Sequence, residues 1–315
     1  MNRLSVDPRP RCTETAHSAL RDDGHVRMLL VALVVALVFL APAPESGQDP
    51  SQGNEHSTKV VIVEDADDPR VWENVEAFCA EPTAENTRAA FRVLEEKLSD
   101  WPSHPAGMIT TILETIGERK IGSGREYVVR FLRTEPTLAR ASIIQSTAAR
   151  ALGLLGGIQA LEELVRCAES APPSVLPSVA VALGLLADPR AVTPLEVLAN
   201  RPDPETKARA LSALSKYCSS TSKSLALDHL ASEAEDVKKS AAWWLSQCGT
   251  GDDGPRLASL LHDGAELVRL NALKGLVRLN SKAACDMSES LLHDESDSVR
   301  ALAREYSVIC VQTER

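Results

Sequence analysis

The chain has 315 residues and a formal net charge of −10, with 44% hydrophobic but only 3% aromatic residues. Proteins that bind the phosphate backbone of nucleic acids need clustered Lys and Arg, so this charge argues against a nucleic-acid partner. The low aromatic content is unusual for a large enzyme core and indicates packing by small aliphatic side chains.

About half of the net negative charge lies in one short segment. Residues 45–68 carry a net charge of −6, whereas residues 69–315 carry −5 over about ten times the length. The longer segment therefore has the near-balanced charge of an ordinary soluble surface, and its charge points to no particular ligand.

The N-terminus contains one long apolar run. Residues 1–27 show no hydrophobic periodicity and are interpreted as an unstructured extension. The fourteen residues 28–41 carry no charge and would rise about 21 Å as a helix, short of the roughly 30 Å core of a bilayer. This length favours a signal peptide with cleavage after Ala43. Pro44 is a poor residue after a cleavage site, so a retained anchor over 28–44 is the alternative.

The charges beside this run predict the side of the membrane. Arg21 and Arg27 precede it, and positive flanks stay in the cytoplasm. The body is therefore expected outside the cytoplasm, periplasmic or membrane-anchored, in a bacterial envelope. Translation starting near Val26 or Met28 would give a conventional short basic start. Residues 45–68 are interpreted as an acidic linker, because Gly, Ser, Gln and Pro precede an acidic run.

A 31-residue repeat predicts the fold. Windows of similar sequence begin at residues 148, 179, 210, 241, 272 and 303. Ala148, Leu152 and Leu155 of the first window lie on one face of a helix. A second helix follows in each unit, and such short helix pairs bury their apolar faces only by stacking on neighbours. We predict an all-α fold, an α-solenoid of stacked two-helix repeats, over residues 137–315.

Two columns of the alignment carry the repeat. The leucine column is unbroken over five units, and one of its neighbours is almost all alanine. Their members are Leu152, Leu183, Leu214, Leu245 and Leu276, and Ala148, Ala210, Ala241, Ala272 and Ala303. Residues 69–136 are helical in pattern but break the 31-residue step, so they are interpreted as divergent N-terminal helical repeats or a cap.

The unit at residues 182–199 resembles a known family. Ala182-Leu183-Gly184, the Asp188–Val192 turn and Pro194-Leu195 are similar to the HEAT-type repeat, particularly the class named after phycocyanobilin-lyase HEAT-like repeats. The resemblance covers residues 137–315 well. It implies protein–protein interaction on the inner, second-helix face, although the repeat motif itself encodes stacking and is weak evidence for function.

The seven cysteines are widely spaced, so the sequence has no CxxC signature of a zinc or redox site. Two pairs, Cys218 with Cys248 and Cys285 with Cys310, could form disulfides between neighbouring repeats. Bridging requires Cα atoms within about 7 Å, whereas packed helices lie about 10 Å apart. Buried free thiols are therefore the default expectation.

His262-Asp263 and His293-Asp294 occupy the same position in successive repeats. The HEAT-like family includes deoxyhypusine hydroxylase, whose di-iron site depends on repeated His-Glu pairs, but this sequence contains no His-Glu dipeptide. We interpret both histidines as the ends of second helices, where a partly positive ring is favoured by the helix dipole. No metal, cofactor or catalytic residue is expected.

A basic column also follows the 31-residue step, and it consists of Lys207, Lys238, Arg269 and Arg300. It could present a positive stripe to an anionic partner. Asp263 and Asp294, however, shortly precede Arg269 and Arg300 with the same spacing. We therefore favour pairing within each turn as the explanation of the column.

Trp243 and Trp244 depart from their columns. Trp244 replaces small residues and is expected to enter the core with a local bulge of the helix. Trp243 stands in a mostly polar column and is either an exposed binding hot spot or a ring that covers an adjacent loop.

Together these features predict a non-catalytic protein-binding or scaffolding module of the cell envelope. Its protein partner would bind the concave second-helix face, and membrane contact would occur only through an uncleaved segment 28–44. The candidate partner-binding residues are Glu162, Arg166, Asp228, Trp243, Arg256, His262 and His293. The alternatives are a HEAT-like enzyme or enzyme subunit, either bilin-lyase-like or similar to an iron-dependent hydroxylase, and a self-assembling structural element.

Overall fold

The structure is a computed structural model that describes residues 69–100, 106–134, 141–279, 285, 287 and 289–313. The predicted N-terminal extension, signal peptide or anchor, and acidic linker lie outside the described residues. Within these residues, regular secondary structure is limited to α-helices and short 3₁₀ turns. None of the described helices is long and apolar enough to cross a membrane.

Fourteen α-helices are found within the described ranges. They are α1 (Pro69–Ala80), α2 (Ala84–Asp100), α3 (Ala106–Glu118), α4 (Arg125–Leu132), α5 (Ala141–Leu155), α6 (Ile158–Ser170), α7 (Leu176–Leu186), α8 (Val192–Ala199), α9 (Pro204–Leu214), α10 (Ser220–His229), α11 (Glu235–Cys248), α12 (Gly254–Ser259), α13 (Glu266–Arg278) and α14 (Asp297–Thr313). From α3 onward, α3, α5, α7, α9, α11, α13 and α14 are the first helices of repeats, and α4, α6, α8, α10 and α12 are the second helices.

The chain divides after Ser99 into two compact units, and the described part of the first consists of α1 and α2. The rings of Phe78 and Phe91 meet edge to face with centroids 6.5 Å apart. Asn86 closes the turn between the helices, because its side-chain amide donates to the carbonyls of Ala77, at 3.2 Å, and Glu81, at 2.8 Å. These contacts make a small helical hairpin.

The second unit confirms the predicted α-solenoid. All five leucines of the leucine column and all five alanines of its neighbour are fully buried. Each first helix packs on the next first helix along the chain and on the second helices beside it. The repeat period therefore corresponds to the physical step from one helix pair to the next.

The first helices approach each other until their backbones touch. A Cβ on Gly153 would lie 2.7 Å from the Cα of Ala182, and a Cβ on Gly184 would lie 2.8 Å from the Cβ of Ala213. The two contacts share one sequence offset, from position 153 to 182 and from position 184 to 213. We call this line of small residues the seam, and any side chain larger than hydrogen at these glycines would force the helices apart.

Helices α3 and α4 join the stack, although residues 69–136 break the 31-residue step. A Cβ on Gly117 would lie 2.7 Å from the Cα of Ala151, the same contact that Gly153 makes with Ala182. The step from Gly117 to Gly153 is longer than the step from Gly153 to Gly184, and this difference hides the repeat from a search at the regular period. The boundary between the two compact units lies after residue 99, and the predicted limits of the domains stay a prediction.

Trp244 enters the core as predicted, with 1% of its surface exposed. Helix α11 nevertheless runs as a regular α-helix from Glu235 to Cys248, so the predicted bulge is wrong. By the sequence offset of the seam, Trp244 corresponds to the small residue Ser215 of the preceding repeat. The Nε1 atom of Trp244 is buried with no hydrogen-bond partner in the described chain.

A disulfide joins Cys218 to Cys248 with Cα atoms 5.2 Å apart, so the expectation of buried free thiols is wrong for this pair. Helix α9 ends at Leu214, and Cys218 lies beyond it with a left-handed backbone (φ 49°). The spacing of packed helices therefore does not apply there. Cys285 is also disulfide-bonded, and its partner lies outside the described side chains.

The seam predicts which glycines tolerate a methyl group. Gly153→Ala should destabilise the protein by about 1–3 kcal/mol, because the added carbon overlaps the α7 backbone. Gly107→Ala in α3 is the matched control, since a Cβ there meets nothing within 4 Å, and it should be neutral or stabilising by up to about 1 kcal/mol. Urea denaturation of both variants measures this difference, and equal midpoints would contradict the seam.

Candidate functional site

The second helices share an outward face formed by three columns with the 31-residue step. All the described members of these columns are exposed or half-buried, whereas Leu164, Leu195, Ala226 and Leu257 on the opposite side of the same helices are fully buried. We call this surface the second-helix face. Its columns are Glu162, Thr193, Ser224 and Pro255; Arg166, Val197, Asp228, Ser259 and Ser290; and Glu169, Asn200, Ala231, His262 and His293.

Six of the seven predicted partner-binding residues lie on or beside this face. Glu162, Arg166, Asp228, His262 and His293 belong to its columns, and Arg256 is exposed next to Pro255 on α12. The structure thus brings these side chains to one side of the stack. Whether a partner binds them stays a prediction.

Trp243 lies elsewhere, on the first helix α11. Its indole is only half-buried, and Nε1 donates to Ser215 Oγ at 3.1 Å. Ser215 follows the end of α9, so the ring covers the adjacent repeat. Trp243 is therefore only partly exposed and lies over its neighbour, as the alternative expected, and whether it binds a partner stays a prediction.

Val197 is a residue of this face that the sequence analysis missed. It stands in α8 between Arg166 and Asp228 in the same column, and 51% of its surface is exposed. An apolar residue in an otherwise polar exposed column was the available signal. It places an apolar contact point between a cation and an anion.

One charged cluster on this side is occupied by contacts between repeats. Arg133 Nε donates to Glu163 Oε2 at 3.0 Å, and Arg166 Nη1 donates to the same oxygen at 2.6 Å. Burial raises the pKa of Glu163, but the hydrogen bonds from both arginines outweigh it and leave the pKa below its ordinary value. Arg166 is thus partly engaged within α6, and Arg133 joins the end of α4 to that helix.

Cys167 lies one residue beyond Arg166 and is not disulfide-bonded. Its burial, followed by the negative charge of Glu163, raises the pKa of the thiol to about 11. The thiol is therefore protonated at neutral pH, and a protonated thiol is a poor nucleophile.

The basic column pairs with carboxylates of the following turn. Lys238 Nζ lies 3.0 Å from Asp263 Oδ2, and Arg269 Nη2 lies 2.8 Å from Asp294 Oδ1. Each pair is separated by 25 residues. The basic column therefore stabilises turns, as we expected. The carboxylate that each of these basic side chains pairs with, however, lies in the turn that follows it rather than in the turn that precedes it.

The expected contact between Arg269 and Asp263 exists, but it involves the backbone carbonyl of Asp263 and not its carboxylate. Arg269 Nη1 donates to the carbonyl of Asp263 at 2.9 Å, and Arg300 likewise donates to the carbonyl of Asp294. The repeated sequence spacing was therefore meaningful, although it does not join the two charges. Because Arg269 is 5% exposed, it is unavailable to an anionic partner.

The stack has one groove on the second-helix face and another between two first helices. A groove of about 640 Å³ on the second-helix face is lined by Pro255, Ala258, His262 and Met287 among others. A second groove, of about 790 Å³, lies between the N-terminal halves of α9 and α11. Two residues that line this second groove, Ser212 and Ser240, are joined by a hydrogen bond of 3.1 Å between their hydroxyls.

His262 and His293 both lie at the ends of second-helix segments and are accessible to solvent. Among the described residues, no three His, Cys, Asp or Glu side chains are grouped so that they could hold a metal ion.

Comparison with known proteins gives one family. The family of HEAT repeats matches residues 138–215, 178–246 and 194–276. No curated protein matches the sequence.

Several solved structures are similar to the chain at low identity. The complex of CpcE and CpcF of phycocyanin lyase from Nostoc sp. PCC7120 has a TM-score of 0.47 at 21% identity, covering 67% of this chain and 85% of that one. A designed armadillo repeat protein in complex with the peptide (KR)4 has a TM-score of 0.41 at 18% identity, with 56% and 95% covered. Human deoxyhypusine hydroxylase has a TM-score of 0.32 at 16% identity, with 74% and 93% covered.

The buried pair of Arg269 and Asp294 predicts a large mutational effect. Arg269→Ala should cost about 3–5 kcal/mol, because it leaves the Asp294 carboxylate buried without its cation. Lys239→Ala is the control, since Lys239 pairs with the exposed Asp236 and should cost at most about 1 kcal/mol. Urea denaturation near pH 7 measures both, and similar losses would contradict the pairing.

The same pair predicts the pH dependence. Hydrogen bonding from Arg269 holds the pKa of Asp294 below its ordinary value. Its contribution to stability is therefore complete above the unfolded pKa of about 3.9 and is lost as the pH falls through the lower folded pKa. Arg269→Ala should weaken this loss of stability on acidification, as measured by urea denaturation between about pH 5 and 2.

Proposed function

We propose that this chain, which is a HEAT-repeat protein over residues 138–276, acts as a non-catalytic protein-binding or scaffolding module through its second-helix face. The observation that carries the proposal is the unbroken solvent access of three columns across α6, α8, α10 and α12. Each repeat contacts mainly its neighbours, so stacking presents these columns as one extended surface.

The centre of this surface indicates the chemistry of the partner. Val197 offers an exposed apolar contact, with Arg166 one repeat before it and Asp228 one repeat after it. Protein interfaces combine apolar contacts with a polar rim. The proposed partner is a protein surface with an apolar residue between an acidic and a basic side chain.

The location in the envelope outside the cytoplasm is part of the proposal. The apolar run and the acidic linker of the sequence motivate it, and the disulfide between Cys218 and Cys248 supports it. Disulfides persist in oxidising compartments and are rare in the cytosol.

A pair of matched variants tests the binding face. Val197→Asp combined with Arg256→Glu alters the second-helix face, whereas Ile143→Asp combined with Lys274→Glu makes similar changes on exposed first-helix positions. With the full-length protein as bait in envelope extract, the first variant should lose a bound partner at least tenfold, and the second should retain it. Thermal unfolding confirms that both variants are folded.

Other results would contradict the proposal. Equal capture by both variants would place the binding site elsewhere. Iron or a pigment bound to the purified protein, detected by metal analysis and absorbance, would favour a HEAT-like enzyme instead.

The disulfide predicts the redox state of protein recovered from cells. After free thiols are blocked at lysis, peptide mapping should recover Cys218 linked to Cys248, and cysteines alkylated at both positions would contradict export. Replacing both cysteines by serine should lower the free energy of unfolding by about 2–4 kcal/mol, because the bond closes a loop of 30 residues. Denaturation with and without reductant measures this loss.

A further inference from the structure

One turn of the stack lacks the carboxylate that the two following turns contain. The step of 25 residues that joins Lys238 to Asp263 and Arg269 to Asp294 leads from Lys207 to Ser232. The Ser232 hydroxyl accepts from the Ala234 N–H at 3.3 Å, as Asp263 Oδ1 accepts from Ala265 at 2.9 Å. Ser232 thus keeps the turn but offers no charge to Lys207.

The residue that ends the preceding helix is also exceptional. His229 occupies the column of Leu198, Leu260 and Leu291, which are all buried. Its Nε2 atom is buried and has no hydrogen-bond partner in the described chain. An imidazole therefore stands at a position built for leucine, with one ring nitrogen unsatisfied.

The surroundings of His229 disfavour a second positive charge. Burial, and then the charge of Lys207 on α9, lower the pKa of the ring, while the Ala199 backbone on α8 and Asp228 on α10 oppose this weakly. Helix α11, which also packs on α10, adds no charged group that shifts the ring's pKa. A group with a lowered folded pKa destabilises the fold as the pH falls below its unfolded value of about 6.5.

The packing around this turn has a covalent bond at one end. The disulfide joins the C-terminal ends of α9 and α11. Their N-terminal halves border the groove of about 790 Å³, and the fully buried Thr206 Oγ1 in α9 has no hydrogen-bond partner in the described chain. Movement of the two helices would therefore widen the groove about the disulfide.

We infer that the joint between α9–α10 and α11 is an acid-sensitive hinge. It loosens when His229 takes up a proton, and α11 then turns relative to α9 and α10 about the Cys218–Cys248 bond. The proton enters a site where Lys207 has no carboxylate partner at position 232. The following joints, with Asp263 and Asp294 in place, stay closed in mild acid. The stack thus has one preferred point of opening.

His229→Leu, which restores the leucine column, tests the proton site. The melting temperature of the full-length wild-type protein should fall between about pH 7.5 and 5.5 by roughly 2–4 °C more than that of His229→Leu. His262→Leu makes the same change at an exposed histidine and should keep the wild-type pH dependence. Equal pH dependence of wild type and His229→Leu would overturn the inference.

Ser232→Asp, which supplies the missing carboxylate, tests the joint independently. It should raise the melting temperature near pH 7.5 by roughly 2–4 °C relative to Ser232→Asn, which has the same shape without the charge. Equal melting temperatures would overturn the inference.

Hydrogen–deuterium exchange locates the opening. In the wild-type protein at about pH 5.5, the segments 203–210 and 229–240 should exchange several-fold faster than at about pH 7.5 after correction for intrinsic rates, while residues 260–276 change little. Uniform acceleration over both regions would also overturn the hinge.

Discussion

The structure depends on how closely successive first helices approach each other. At Gly153 and Gly184 there is no space for even a methyl group against the following helix. Contact at backbone distance requires small residues on both helices, as at Gly153 with Ala182 and Gly184 with Ala213. The small side chains, which also explain the low aromatic content, let helix pairs stack with a constant step.

Close stacking also decides what the polar side chains do. Lys216 Nζ donates to the carbonyl of Gly184 at 2.8 Å, and Arg278 Nε donates to that of Ser246 at 2.7 Å, each at the end of the first helix one repeat earlier. Such carbonyls have no partner within their own helix. These basic side chains thus form contacts between repeats. The exposed columns of the second helices remain as the surface available to a partner.

The sequence predicted features that every repeat shares, and it failed where one repeat differs. The buried leucine and alanine columns and the second-helix face follow from a fixed 31-residue step. The helices around Gly117 were assigned only as divergent repeats or a cap because their step is longer, and the ion pairs were assigned within turns because sequence distance does not show which turn lies closer. The disulfide depends on a left-handed residue at Cys218, and Val197 is apparent as exposed only once the outward side of α8 is known. Each failure concerns local geometry in one repeat, which a pattern shared by all repeats does not show.

The disulfide makes part of the stack a closed covalent ring. The 30-residue separation between Cys218 and Cys248 encloses the whole of α10 and all of α11 up to its last residue. If the protein is pulled from its two ends, this ring withholds about 100 Å of contour length from the extended chain. The bond between these neighbouring repeats therefore shortens the greatest length to which the chain can be stretched.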